Sequence, residues 1–119
     1  MDAINAIAAL SALAQESRLA AFRLLVRAEP EGLPAGDVAR ALGVPHNTLS
    51  SHLATLSHAG LVSARREGRS VIYRAELGRA RELLAFLLQD CCGGVPELCA
   101  PALESLAGCC PPSSEGVEA

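Results

Sequence analysis

Ile4, Ile7, Ala8 and Ser11 place small and apolar residues at helical spacing, and Leu19, Phe22 and Val26 repeat the pattern between about Ser17 and Arg27. Two helices are expected there. Glu29-Pro30-Glu31-Gly32 is a breaker cluster. A short third helix is expected from Pro34 or Ala35 to Leu42, ended by Gly43. Pro45 in Val44-Pro45-His46-Asn47 stands where helices start, so a fourth helix should run to about His58, with Ala59-Gly60 as its stop.

Past Gly60 the pattern changes. Leu61 to Arg66 and Arg69 to Arg74 are two β-prone runs around Glu67-Gly68, which together read as a hairpin. A fifth helix from about Glu76 to Gln89 contains Leu83-Leu84-Ala85-Phe86-Leu87-Leu88 and is apolar on nearly every face. Such a helix must be covered on both sides. In a chain of 119 residues the simplest second cover is another subunit, meeting this one through helices one and five. No internal repeat is visible.

Composition supports a mainly α fold packed by aliphatic side chains: half of the residues are hydrophobic, yet there are only two Phe, one Tyr and no Trp. The apolar stretch from Ala3 to Ala14 is too short to span a bilayer, and the first basic residue, Arg18, follows it, so neither a membrane anchor nor a signal peptide is expected. Five cysteines without an export signal then point to a reducing cytoplasm, where clustered thiols more often bind metals or react than form structural disulfides.

The formal charge of -3 argues weakly against nucleic acid until the charges are placed. Residues 38 to 75 carry Arg40, Arg65, Arg66, Arg69 and Arg74 against Glu67 alone, whereas residues 90 to 119 carry five acidic residues and no Lys or Arg. The centre suits phosphates and the tail does not.

Helices three and four, joined tightly at Gly43-Val44-Pro45, form a helix-turn-helix pattern, and the hairpin behind them makes a winged helix. The start of helix four offers His46, Asn47, Thr48, Ser50, Ser51 and His52 as groups that reach base edges or phosphates of double-stranded operator DNA. Leu49, Leu53 and Leu56 take the inward face. Arg65, Arg66 and Arg69 flank the wing tip, where long cationic side chains meet phosphates or enter the minor groove; the plainer alternative is a solvated hairpin. His46, His52 and His58 do not form a metal site, because six residues turn a helix by about 240°. The fold class expected is therefore mainly α with a β-hairpin wing, a winged helix-turn-helix dimerising through its first and last helices.

Leu13-Ala14-Gln15-Glu16-Ser17-Arg18-Leu19, Val38-Ala39-Arg40-Ala41-Leu42-Gly43, Thr48-Leu49-Ser50-Ser51-His52-Leu53, Leu56, Ala59-Gly60-Leu61-Val62 and Arg66-Glu67-Gly68-Arg69 resemble the ArsR/SmtB family of metal-responsive repressors over roughly residues 8 to 89. The resemblance implies a homodimeric winged helix that holds an operator until an inducer releases it. Many arsenic-sensing relatives carry a Cys-x-Cys type motif at the start of helix three, but Leu33-Pro34-Ala35-Gly36-Asp37-Val38 has no thiol. Zinc-sensing relatives carry Asp and His pairs along the last helix, and Glu76 to Gln89 has no His.

What remains is Cys91-Cys92, Cys99 and Cys109-Cys110. The adjacent pair and third thiol resemble variant arsenic sensors whose cysteines follow the last helix. Trivalent arsenic favours thiolate sulfur and takes three ligands in a pyramid. Adjacent residues on a regular helix point about 100° apart, so Cys91 and Cys92 converge only where the helix frays. Gly93-Gly94 allows that, and Pro96 limits the loop that returns Cys99. Cys91, Cys92 and Cys99 are expected to bind As(III) as inducer, with Cys109 and Cys110 as additional candidate ligands. Alternatives are a methylated trivalent arsenical using the pair alone, antimonite, a soft divalent metal such as cadmium, a thiol redox switch, or simple burial of the thiols. An enzyme such as an arsenate reductase is disfavoured, since no Cys-x5-Arg phosphate loop is present and no catalytic cofactor is implied. A storage or delivery role for soft metals would leave the helix-turn-helix without a purpose. Residues 1–90 are thus expected to form the DNA-binding and dimerisation domain, 91–110 a sensor segment and 111–119 a disordered tail.

Overall fold

The computed structural model describes residues 1–88. Five helices and three short strands run in the order α1 (Ala3–Leu13), α2 (Glu16–Arg27), β1 (Leu33–Pro34), α3 (Ala35–Leu42), α4 (His46–His58), β2 (Val62–Glu67), β3 (Ser70–Ala75) and α5 (Leu77–Leu88). This is the winged helix-turn-helix that the periodicity predicts, mainly α with a β wing.

Side chains close the starts of the first two helices. Asp2 accepts from the Asn5 amide at 2.8 Å, and Gln15 accepts from the Arg18 amide at 2.8 Å, each satisfying one of the amides that a helix start leaves without a partner. α1 is apolar on two faces of different character. Ala6, Ala9 and Ala12 are buried, while Ile4 is 80% exposed and Ile7 65% exposed. Alanines let the helix approach the domain closely and leave its bulkier apolar residues outside.

The core is aliphatic. Leu25 of α2, Val38 of α3, Leu49, Leu53 and Leu56 of α4, and Leu61 are fully buried. The leucines of α4 lie at the three- and four-residue spacing that forms one helical stripe, so the core fixes how this helix is rotated. Each such burial contributes about 1.5 to 3 kcal/mol. α5 follows the same division, with Leu83 buried and Leu77 and Leu84 exposed.

β2 and β3 pair antiparallel from Val62 opposite Ala75 to Glu67 opposite Ser70. Glu67 therefore belongs to the strand and the two-residue turn is Gly68-Arg69, one position later than the sequence pattern suggests. Gly68 has a φ of 62°, the positive value that a two-residue hairpin turn requires. The wing also has a third strand that the pattern does not show. Leu33 pairs with Tyr73 and Pro34 with Ile72, giving the order β1-β3-β2. Two residues show no alternation to read, and Pro34 is tolerated because it lies on an edge strand.

Candidate nucleic-acid interface

Gly43 terminates α3 with a φ of 68°, and the chain then donates from the Val44 amide to the Ala39 carbonyl at 3.2 Å. The left-handed glycine and this bond reverse the chain within three residues, which sets α4 against α3. Pro45 starts α4 without a side-chain cap, and the first turn holds no acidic residue. The positive end of the α4 dipole is thus left to meet an anion.

With Leu49, Leu53 and Leu56 facing inward, the 3.6-residue period directs Asn47, Ser51, Ala54 and His58 outward. His46 and Ser50 lie on one flank of α4, Thr48 and His52 on the other. His46, Asn47, Thr48, Ser50 and Ser51 are all exposed, as a DNA-reading surface needs. His52 differs: it is half-buried, with Nδ1 3.4 Å from Nη1 of Arg18.

His46 and Ser50 face the wing across an open cleft of 580 Å³. Arg40 and Asp37 of α3 line the same cleft, together with Arg69 and Tyr73 from the wing. The fold thus gathers His46, Ser50 and Arg69, three candidates taken from two separate sequence motifs. Arg40 joins them, although only its charge was noticeable in the sequence. It forms an ion pair with Asp37 one helical turn away.

The three wing arginines are not equivalent. Arg65 and Glu67 share one face of β2, and Arg65 Nε donates to Glu67 Oε2 at 2.6 Å. A second bond runs from Arg65 Nη2 to the Glu31 carbonyl at 3.4 Å. Arg66, on the opposite face, and Arg69, in the turn, are exposed and make no ion pair among the described residues. Within the wing, Arg66 and Arg69 thus differ from Arg65 in having no carboxylate partner among the described residues.

Cys91, Cys92, Cys99, Cys109 and Cys110 lie outside the described residues. Among the described residues, no three His, Cys, Asp or Glu side chains gather as a metal site. Nor is any described helix long and apolar enough to cross a membrane.

Comparison with known proteins agrees with this geometry. Residues 13–64 match the family model of a helix-turn-helix domain. The chain is 30% identical over 86 residues to the transcriptional activator HlyU of Vibrio cholerae serotype O1, covering 72% of this chain and 77% of that protein. It is 33% identical over 86 residues to the nodulation protein NolR of Rhizobium meliloti, covering 72% and 68%. Among solved structures, the homodimeric winged helix-turn-helix DNA-binding domain of Mb0332 from Mycobacterium bovis, described as a possible ArsR-family transcriptional regulator, superimposes with a TM-score of 0.58. That domain is 34% identical in sequence, over 72% of this chain and 79% of the other.

Proposed function

The chain belongs to the ArsR family of winged helix-turn-helix DNA-binding transcriptional regulators, which are not enzymes, and we propose that it acts as a homodimeric repressor released from its operator when trivalent arsenic binds Cys91, Cys92 and Cys99. The observation that carries this reading is the separation of chemistries along the chain. The cations and hydrogen-bonding side chains suited to DNA lie between Arg40 and Arg69, whereas all five thiols fall between residues 91 and 110. The start of α3 has no thiol, so soft-ligand chemistry is confined to the segment after α5.

Dimerisation uses α1 and α5. Ile4, Ile7 and Leu10 of α1 and Leu77 and Leu84 of α5 are apolar and exposed, and a second copy supplies the cover they lack. Two recognition helices then meet half-sites about one DNA turn, roughly 34 Å, apart. Binding of As(III) by three thiolates reshapes the segment that follows α5, alters the spacing or mobility of the two α4 helices and weakens operator binding by about 1 to 3 kcal/mol. Reciprocity requires DNA to weaken arsenic binding by the same factor. Repression follows where the operator overlaps the promoter. The donor set fits this ligand: three thiolates satisfy pyramidal arsenic, whereas zinc or cadmium needs a fourth ligand, from Cys109 or Cys110.

The test is release of a duplex selected from random sequence, titrated under reducing conditions with arsenite, antimonite, methylarsenite, cadmium and zinc. Arsenite should release the DNA, and Cys99→Ser should blunt the response to arsenite more than to methylarsenite, which needs two thiols. Equal sensitivity of Cys99→Ser and the parent chain to arsenite would remove Cys99 from the site.

A further inference from the structure

Arg18 sits at the junction of three helices. Its amide is held by the Gln15 side chain at 2.8 Å, so the start of α2 fixes where its side chain begins. Its Nε donates to the Ala12 carbonyl in the last turn of α1 at 2.6 Å. Its Nη1 reaches His52 Nδ1 on α4 at 3.4 Å. One half-buried guanidinium therefore joins the end of α1 to His52 of the recognition helix, 34 residues on from Arg18.

The chemistry of this contact allows one direction. Arginine has donors and no acceptor, so a hydrogen bond here requires Nδ1 of His52 to be the ring nitrogen that carries no proton. The proton of the neutral ring is then on Nε2. His52 also lies on the flank of α4 rather than on the outward face with Asn47 and Ser51, and unlike them it is half-buried. Its inner nitrogen is engaged from within the fold.

We propose that Arg18 is a positioning residue for operator binding: by donating to Ala12 O and His52 Nδ1 it ties the recognition helix to the end of α1, and His52 serves DNA affinity through this tie. The proposal rests on the DNA-binding role of α4 and adds to it a direct link between a helix with an exposed apolar face and the reading helix. Arg18 thus gives a shift at the end of α1 a polar route to α4 beside the direct packing of the two helices. Because the bond to Ala12 is to a backbone carbonyl, it follows the helix itself and not the identity of residue 12.

Paired substitutions separate this role from a DNA contact. In His52→Asn the side-chain amide stands where Nδ1 was and can still accept from Arg18; in His52→Gln the amide stands nearer the position of Nε2. Operator affinity of Arg18→Met and of His52→Gln should fall about fivefold, the scale of one ordinary hydrogen bond. His52→Asn should bind at least about threefold more tightly than His52→Gln, and the Arg18→Met, His52→Gln double variant no more weakly than either single change. In the free, isotopically labelled protein in alkaline buffer, the ring nitrogens of His52 should report the Nε2-H form, and Arg18→Met should lose that preference. Thermal melts of each variant separate misfolding from loss of the tie, and the two His52 variants carry the test if Arg18→Met melts early. An Nδ1-H spectrum in the parent chain, unchanged affinity of Arg18→Met, or His52→Gln binding more tightly than His52→Asn would overturn the proposal. A parent chain that binds no duplex selectively would instead count against the DNA-binding reading, and the nitrogen spectrum would still decide the Arg18 contact.

Discussion

Arg74 of β3 grips Glu29, 45 residues earlier in the chain, with Nη2 2.9 Å from Oε1 and Nε 3.3 Å from Oε2. The two-pronged geometry suits a guanidinium and a carboxylate, and it pins the segment between α2 and β1 to the wing. Glu29→Gln keeps acceptor and shape but removes the charge, whereas Arg74→Met leaves a largely covered carboxylate without its cation. Thermal midpoints should fall in the order parent, Glu29→Gln, Arg74→Met, with faster amide exchange in β3. Identical melting of all three would remove the pair from the account of the wing.

The same pair has a defined pH dependence. The hydrogen bond that Arg74 donates to Glu29, then the Glu29 charge, raises the Arg74 pKa above its ordinary value. A group whose folded pKa is raised gives its full stabilisation below the unfolded value and loses it as pH climbs through the folded one. Arg74 therefore contributes no slope between pH 6 and 9. Melting curves of Arg74→Met and the parent chain, compared at those two pH values, should differ by the same amount at both; a gap that changes between them would contradict this.

Two glycines with the same backbone demand should respond differently to alanine. Gly43 has a φ of 68° and open space where a Cβ would stand, so Gly43→Ala should cost about 1 to 2 kcal/mol, the strain of the left-handed conformation alone. Gly60 has a φ of 79°, and its added Cβ would lie 2.8 Å from Arg79 Nε. That nitrogen donates to the Ala59 carbonyl at the end of α4 at 3.4 Å. Denaturant unfolding should place Gly60→Ala below Gly43→Ala; the reverse order would mean that Arg79 moves aside without loss.

Wing charge should be visible in the salt dependence of DNA binding. Arg66→Gln and Arg69→Gln should each lower the slope of log K against log salt by about 1. Arg65→Gln should lower it less, because Glu67 already binds that guanidinium. Equal reductions for all three would show that the Arg65 pair opens on DNA.

The exposed face of α1 offers a test of assembly. Ile7→Glu places a charge where a second copy is expected to pack, and should turn the dimer into a monomer in sedimentation equilibrium while the fold persists. A dimer unchanged by Ile7→Glu would move the interface away from α1.

Much of this arrangement was legible in the sequence because it rests on periodicity. Leu49, Leu53 and Leu56 announce the inward face of α4, and Gly43-Val44-Pro45 announces the turn before it. β1 was not legible, since Leu33 and Pro34 are recognisable as a strand only through their partners Tyr73 and Ile72. Nor was the cleft that gathers Arg40, His46, Ser50 and Arg69, because it depends on how the wing folds back toward α3. Arg18 stands in a stretch that marks the family, yet its contact with His52 joins positions that no local pattern relates. The wing arginines were noticeable as a group, but the difference between Arg65 and its neighbours follows from strand alternation, which sets Glu67 beside it.

The central claim is that one chain reads DNA with α4 and the wing and is released by a soft ligand bound at its cysteines. Arsenite titrated into a preformed complex of the reduced chain with its selected duplex, followed by fluorescence anisotropy, tests it most directly. Operator affinity should fall by at least about fivefold, the lower end of ordinary coupling, and Cys91→Ser should abolish the response while leaving arsenite-free binding intact. Affinity that arsenite leaves unchanged in the fully reduced protein would contradict the account.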